Sequence, residues 1–133
     1  MSDRRLVDTS VLSLILKRDT RAAAYVPHLV GSIGLLSFIT LAELLRWPEE
    51  RGWGIQRRAD LERFLTPYEV VYPDEALCRT WAILVADARR RGRSLPFADS
   101  WIAATTIHLD VPLVTYNPGD FTSIAGLTVL STV

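Results

Sequence analysis

Apolar residues follow two rhythms along this chain. Short, nearly continuous runs occur at Arg5-Leu6-Val7-Asp8, Ile33 to Phe38, Glu69-Val70-Val71-Tyr72, Val111 to Tyr116 and Leu127 to Leu130. Each has strand length, and continuous rather than alternating apolarity marks strands buried on both faces. Between them the apolar residues recur at helical spacing. This predicts helices over Thr9 to Lys17, Arg21 to Val30, Ile55 to Leu65 (closed by Thr66-Pro67), Asp74 to about Arg91, and Phe97 to Leu109. A further helix opens at Thr40, carries Leu41, Leu44, Leu45 and Trp47, and is expected to break near Pro48. Asn117-Pro118-Gly119-Asp120 reads as a turn. Strands alternating with helices imply a three-layer α/β/α sandwich around a short-stranded, mainly parallel sheet. In such sheets, sites form beyond the carboxyl ends of the strands. Asp8 closes the first strand and the turn with Asp120 follows the fourth, so both are expected on that edge.

Composition narrows the classes. The 133 residues, 49% hydrophobic and 23% charged, read as a single domain spanning 1–133 with a core of its own. The most apolar segment, Leu29 to Ile39, is broken by Gly31, Ser32, Gly34 and Ser37. It falls short of the ~20 residues a bilayer requires, and no signal-length apolar stretch opens the chain. A soluble, cytoplasmic protein without a membrane partner is therefore expected. The lone Cys78 excludes an internal disulfide and a thiolate metal site, and its helical position suggests packing. Basic and acidic residues balance at 15 each, but Lys17 is the only lysine. Arginine suits bidentate phosphate contacts, although a GC-rich genome produces the same bias and is the weightier explanation.

Several chemistries lack their residues. There is no phosphate-binding glycine loop, no nucleophile elbow, and His28 and His108 are too few and too far apart for zinc. A receiver-like module needs a lysine late in the chain, and an aspartyl-phosphate phosphatase needs an acid where Ser10 stands. What remains is carboxylates at element ends, hard oxygen ligands suited to Mg²⁺ or Mn²⁺. Each also has a structural reading. Asp8 can cap the helix from Thr9, but a carboxylate closing a buried strand is costly unless paired or metal-bound. Thr40-Leu41-Ala42-Glu43 matches a capping box, Asp99 suits the dipole at its helix start, and Asp120 suits a turn.

Taken together, the segments form an ordered pattern. Leu6-Val7-Asp8-Thr9-Ser10-Val11-Leu12 is followed by Ser37-x-x-Thr40-x-x-Glu43-Leu44, and then by Phe97-Ala98-Asp99-Ser100-Trp101-Ile102-Ala103-Ala104-Thr105. Leu113-Val114-Thr115-Tyr116-Asn117-Pro118-Gly119-Asp120-Phe121 completes it. The chain resembles the PIN-domain family over essentially its whole length, and in size and spacing it is similar to the VapC-type toxins of toxin–antitoxin pairs. The resemblance implies a metal-dependent endoribonuclease acting on structured RNA such as tRNA or rRNA, a cognate antitoxin as partner, and a homodimer. It implies Asp8, Glu43 and Asp99 as catalytic metal ligands, with Ser10 and Thr115 in support. The fourth ligand is Asp120 or, where some relatives carry aspartate, Asn117. That departure leaves open a second reading, an inactive PIN fold that binds RNA or protein.

Converging carboxylates repel one another, and a divalent ion relieves that repulsion while activating water for attack on a phosphodiester. Arg89, Arg90, Arg91 and Arg93 precede the Asp99 helix and are candidate RNA-phosphate contacts, or simply a charged helix end favoured by the dipole. Trp47 and Trp53, on either side of Pro48, are candidates for partner contact.

Overall fold

A computed structural model describes residues 3–133. Five strands, β1 (Arg4–Val7), β2 (Ile33–Ser37), β3 (Glu69–Val71), β4 (Leu113–Val114) and β5 (Val129–Leu130), form one parallel sheet in the order β3-β2-β1-β4-β5. The helices are α1 (Thr9–Leu16), α2 (Val26–Leu29), α3 (Phe38–Arg51), α4 (Ile55–Leu65), α5 (Glu75–Arg90) and α6 (Phe97–Leu109). The α/β class and the parallel sheet agree with the sequence pattern.

The continuous apolar runs explain the layering. Along each central strand consecutive side chains face opposite ways. Val7, Leu36 and Val114 pack with Val11, Leu12, Tyr25 and Leu44 on one side. Leu6, Leu35 and Leu113 pack with Ile102, Ala103 and Phe121 on the other. Helices cover both faces, so neither face tolerates a polar alternation. The registers Leu6 with Leu35 and Leu6 with Leu113 align these layers across the sheet. At Gly34 a Cβ would lie 2.6 Å from Tyr68 Cδ1, so glycine is what lets that ring pack over β2.

Four boundaries differ from the sequence expectation. The helix expected from Thr40 starts at Phe38, because the hydroxyl of Ser37 caps it by accepting from Ile39 N. That helix runs through Pro48 instead of breaking there. The proline is buried, and its carbonyl accepts from Trp53 N at 3.1 Å and from Arg58 Nη2 at 3.1 Å. These bonds, with Gly52 closing the helix at φ 60°, hold the last turn that a proline normally unsettles. The expected helix from Arg21 to Val30 is a 3₁₀ segment, Thr20–Tyr25, followed by the single turn of α2, because Pro27 sits where a continuous helix would need its N–H. The last two strands keep two residues each of their apolar runs.

The order β3-β2-β1-β4-β5 reverses direction at β1, so the chain leaves β1 and β4 toward opposite sides. This opens a crevice beyond their carboxyl ends, the usual position of sites in open parallel sheets.

Candidate active site

Asp8 is the first residue past β1 and lies in that crevice. Strand parity turns it to the side of Leu6, the side that α6 covers. It is 6% exposed. Its Oδ2 accepts from Ser10 Oγ at 2.8 Å and from Thr115 Oγ1 at 2.7 Å, and its side chain makes no cap bond to α1. The helix-cap reading of its side chain therefore fails. The two hydroxyls are themselves aimed, since Ser10 Oγ accepts from Tyr116 N and Thr115 Oγ1 accepts from Asn117 N, each at 3.0 Å. With their lone pairs engaged by backbone, their protons point at the carboxylate. Burial raises the Asp8 carboxyl above its ordinary range, the two hydroxyls work against that rise, and nearby Asp120 adds to it.

Glu43 lies in the second turn of α3. Its Oε1 accepts from Thr9 Oγ1 at 2.9 Å, and Thr9 Oγ1 is also 3.0 Å from Thr40 Oγ1. Thr40 is fully buried. The capping box is thus not the arrangement adopted: Ser37 is the cap, while Thr40 and Glu43 both turn to the start of α1.

Asp99 is the third residue of α6, where the helix dipole favours a charged carboxylate. Its carboxyl is nevertheless pushed up to about 6, first by burial and then by the charges of Asp8, Asp120 and Glu43. Asp120 ends a short 3₁₀ turn, Pro118–Asp120, and is exposed. Asn117 is exposed as well, and what it gives to the cluster is its backbone N–H on Thr115. Four carboxylates therefore share one field at this edge. None of the ion pairs among the described residues involves any of them. Among the described residues, no three Asp, Glu, His or Cys side chains are drawn together tightly enough to hold a metal as they stand.

Arg89, Arg90, Arg91 and Arg93 are exposed at the end of α5. Leu77 packs with Ala104, and Trp81 Nε1 donates to Ser100 Oγ at 2.9 Å. Helix α5 therefore runs antiparallel to α6, and the arginines lie beyond the end of α6 that carries Asp99. Arg91 is partly engaged by Asp87, with Nε to Oδ2 at 3.2 Å.

A groove of about 560 Å³, separate from the carboxylates, is lined by residues of α1, α3, α4 and the segments that follow α1 and α3, among them Lys17, Trp47, Arg51, Trp53 and Arg57. The two tryptophans are not an open aromatic patch. Trp53 is buried under the Arg57 guanidinium at 4.1 Å, and Arg51 stands 5.0 Å over the Trp47 ring.

Sequence reasoning misses Thr9. Its neighbour Asp8 stands out as an acid closing a buried strand, but the bond from Thr9 to Glu43 spans 34 positions and has no local signature.

The PIN domain family model matches residues 5–127 of the chain. The chain is similar to "Ribonuclease VapC1" of Haemophilus influenzae, 28% identical over 124 residues that cover 92% of each protein. Among solved structures it is similar to VapBC2 of Rickettsia felis bound to a promoter DNA fragment, with TM-score 0.84, 21% identity, and 96% and 98% of the two chains covered. It is also similar in fold to a toxin–antitoxin complex from Klebsiella pneumoniae, with TM-score 0.75, 19% identity and 95% of each chain covered.

Proposed function

The chain belongs to the PIN-domain family, and on that premise we propose that it is a divalent-metal-dependent endoribonuclease, the toxin of a type II toxin–antitoxin pair. The observation that carries this reading is the charge arrangement: burial first, and then Asp8, Asp120 and Glu43, push the Asp99 carboxyl up, and no cation of the described residues pairs with the four. Oxygen donors in that state fit Mg²⁺ or Mn²⁺ better than any softer ion. Asp8, Glu43 and Asp99, with Asp120, would hold it. Asp120 is exposed and short of partners, so closing the set is a matter of turning that side chain inward. When bound, such an ion supplies charge against the scissile phosphate and lowers the pKa of water.

The chain's own residues do the rest. Ser10 and Thr115 fix Asp8 through one oxygen, which limits how its carboxylate can rotate. The exposed arginines beyond α6 hold substrate phosphates on either side of the cut. Hydrolysis then leaves a 3′-hydroxyl and a 5′-phosphate. The substrate class is structured RNA such as tRNA or rRNA, cut in its loops. Single-stranded bases splay into an open edge, whereas an A-form duplex keeps its bases stacked. The partner is a cognate antitoxin, in keeping with the toxin–antitoxin complexes the fold resembles; of the two tryptophans expected to meet it, half-buried Trp47 stays a candidate contact, whereas Trp53 is buried and does not.

Purified protein incubated with total RNA and Mn²⁺ should release discrete fragments, and EDTA or Asp8→Asn should suppress them. RNA bound but left intact under all these conditions would favour the binding-module reading instead.

A further inference from the structure

Thr9 has a place in this site that its position in the chain does not reveal. It is the first residue of α1, next to Asp8, and its hydroxyl reaches across to α3. Thr9 Oγ1 lies 2.9 Å from Glu43 Oε1 and 3.0 Å from Thr40 Oγ1. A hydroxyl carries one proton and can accept as well as donate. Thr9 Oγ1 is the donor toward both oxygens, and the charged carboxylate of Glu43 draws its single proton more strongly than the Thr40 hydroxyl does. The Thr9 hydroxyl therefore sits between the Thr40 hydroxyl and the Glu43 carboxylate, both on α3. Thr40 is fully buried, so the Thr9 hydroxyl has a fixed neighbour beside Glu43. Glu43 has three side-chain torsions, and without this anchor nothing among its described hydrogen bonds would hold it toward the crevice.

We propose that Thr9 is a positioning residue for Glu43: it fixes Oε1, ties the start of α1 to α3, and aims the glutamate at the ion held with Asp8 and Asp99. This rests on the metal-dependent reading above. Residues that orient a metal-binding carboxylate typically matter about 10- to 100-fold in metal affinity.

Mn²⁺ affinity, measured by titration calorimetry and by the Mn²⁺-induced rise in melting temperature, separates this from simple packing. Thr9→Val keeps the shape and removes the hydroxyl, and it should weaken Mn²⁺ binding about tenfold. Thr9→Ser keeps the hydroxyl and should recover most of that loss. Two results overturn the assignment while leaving the nuclease reading intact, given that Asp8→Asn abolishes binding. One is Thr9→Val binding Mn²⁺ like wild type, even if its metal-free melting temperature falls. The other is Thr9→Ser failing as badly as Thr9→Val, which would assign the effect to the methyl group. Wild-type protein that binds no Mn²⁺ overturns both.

Discussion

Replacing Asp99 by asparagine should stabilise the metal-free protein, although it removes a group placed at the heart of the site. The wild-type carboxyl is pushed up to about 6 by burial and by Asp8, Asp120 and Glu43, from an ordinary 3.8. That difference corresponds to about 3 kcal/mol if taken at face value. The group is only half buried, and solvent screening reduces the figure to about 1–2 kcal/mol. Asparagine forfeits the dipole interaction at the third position of α6, worth about 0.3–1 kcal/mol. The net gain at pH 7.5 is then about 1 kcal/mol, or roughly 3–5 °C in melting temperature for a chain of this size. The sign of the pH dependence follows from linkage. The folded state holds this proton more tightly than the unfolded state, so the stabilisation is complete below about pH 4 and is lost as pH rises through about 6. Thermal melts in EDTA from pH 4 to 8 should therefore show wild type falling behind Asp99→Asn as pH rises, with the two converging at the acid end. Saturating Mn²⁺ at pH 7.5 should invert the order, since an ion that binds only the folded state stabilises it by mass action, about 2.7 kcal/mol at a hundred times its Kd. An Asp99→Asn protein that melts at or below wild type in EDTA at pH 7.5, with the same pH slope, refutes the electrostatic account.

Three further outcomes follow from the same arrangement. Asp120→Asn should cut RNA cleavage heavily while Asn117→Ala keeps most of it, because Asp120 acts on Asp8 and Asp99 whereas Asn117 contributes a backbone N–H; the reverse pattern in a cleavage assay would transfer the fourth ligand to Asn117. Alanine at Arg89, Arg90, Arg91 and Arg93 should flatten the salt dependence of RNA binding, by about 0.7 in log–log slope for each phosphate that is no longer neutralised, and leave Mn²⁺ affinity unchanged; a slope equal to wild type would make these arginines an ordinary helix end. Expression of the chain alone should arrest growth, and co-expression with the neighbouring small open reading frame should restore it; normal growth with catalytically active protein and no partner argues against the toxin assignment.

The parallel sheet was legible because its strands are buried on both faces, which removes alternation and leaves runs such as Leu6-Val7 and Leu35-Leu36. The edge on which Asp8 and Asp120 meet followed from strand polarity alone. Element ends were harder to read, because they depend on single hydrogen bonds. Ser37 rather than Thr40 caps α3, and the carbonyl of Pro48 is held by groups from Trp53 and Arg58 that no local pattern announces. The same limit applies within the site. Asp8, Glu43, Asp99 and Asp120 each stand in a recognisable segment, whereas the bond from Thr9 to Glu43 exists only once α1 and α3 pack side by side. Charged side chains at a helix end carry no sign of what they face, so the position of the arginines beyond α6 needed the pairing of Trp81 with Ser100.

The central claim is that the carboxylate edge is a metal-dependent hydrolytic centre for unpaired RNA, and end-mapping on a defined hairpin tests it most directly. The RNA would be incubated with purified protein and Mn²⁺ or Mg²⁺, and the termini of every fragment sequenced and assayed for phosphate. The account predicts cuts confined to the loop, 5′-phosphate and 3′-hydroxyl ends, and no product with EDTA or with Asp99→Asn. Cutting that persists without metal, spares neither stem nor loop, or leaves 2′,3′-cyclic phosphates would contradict it.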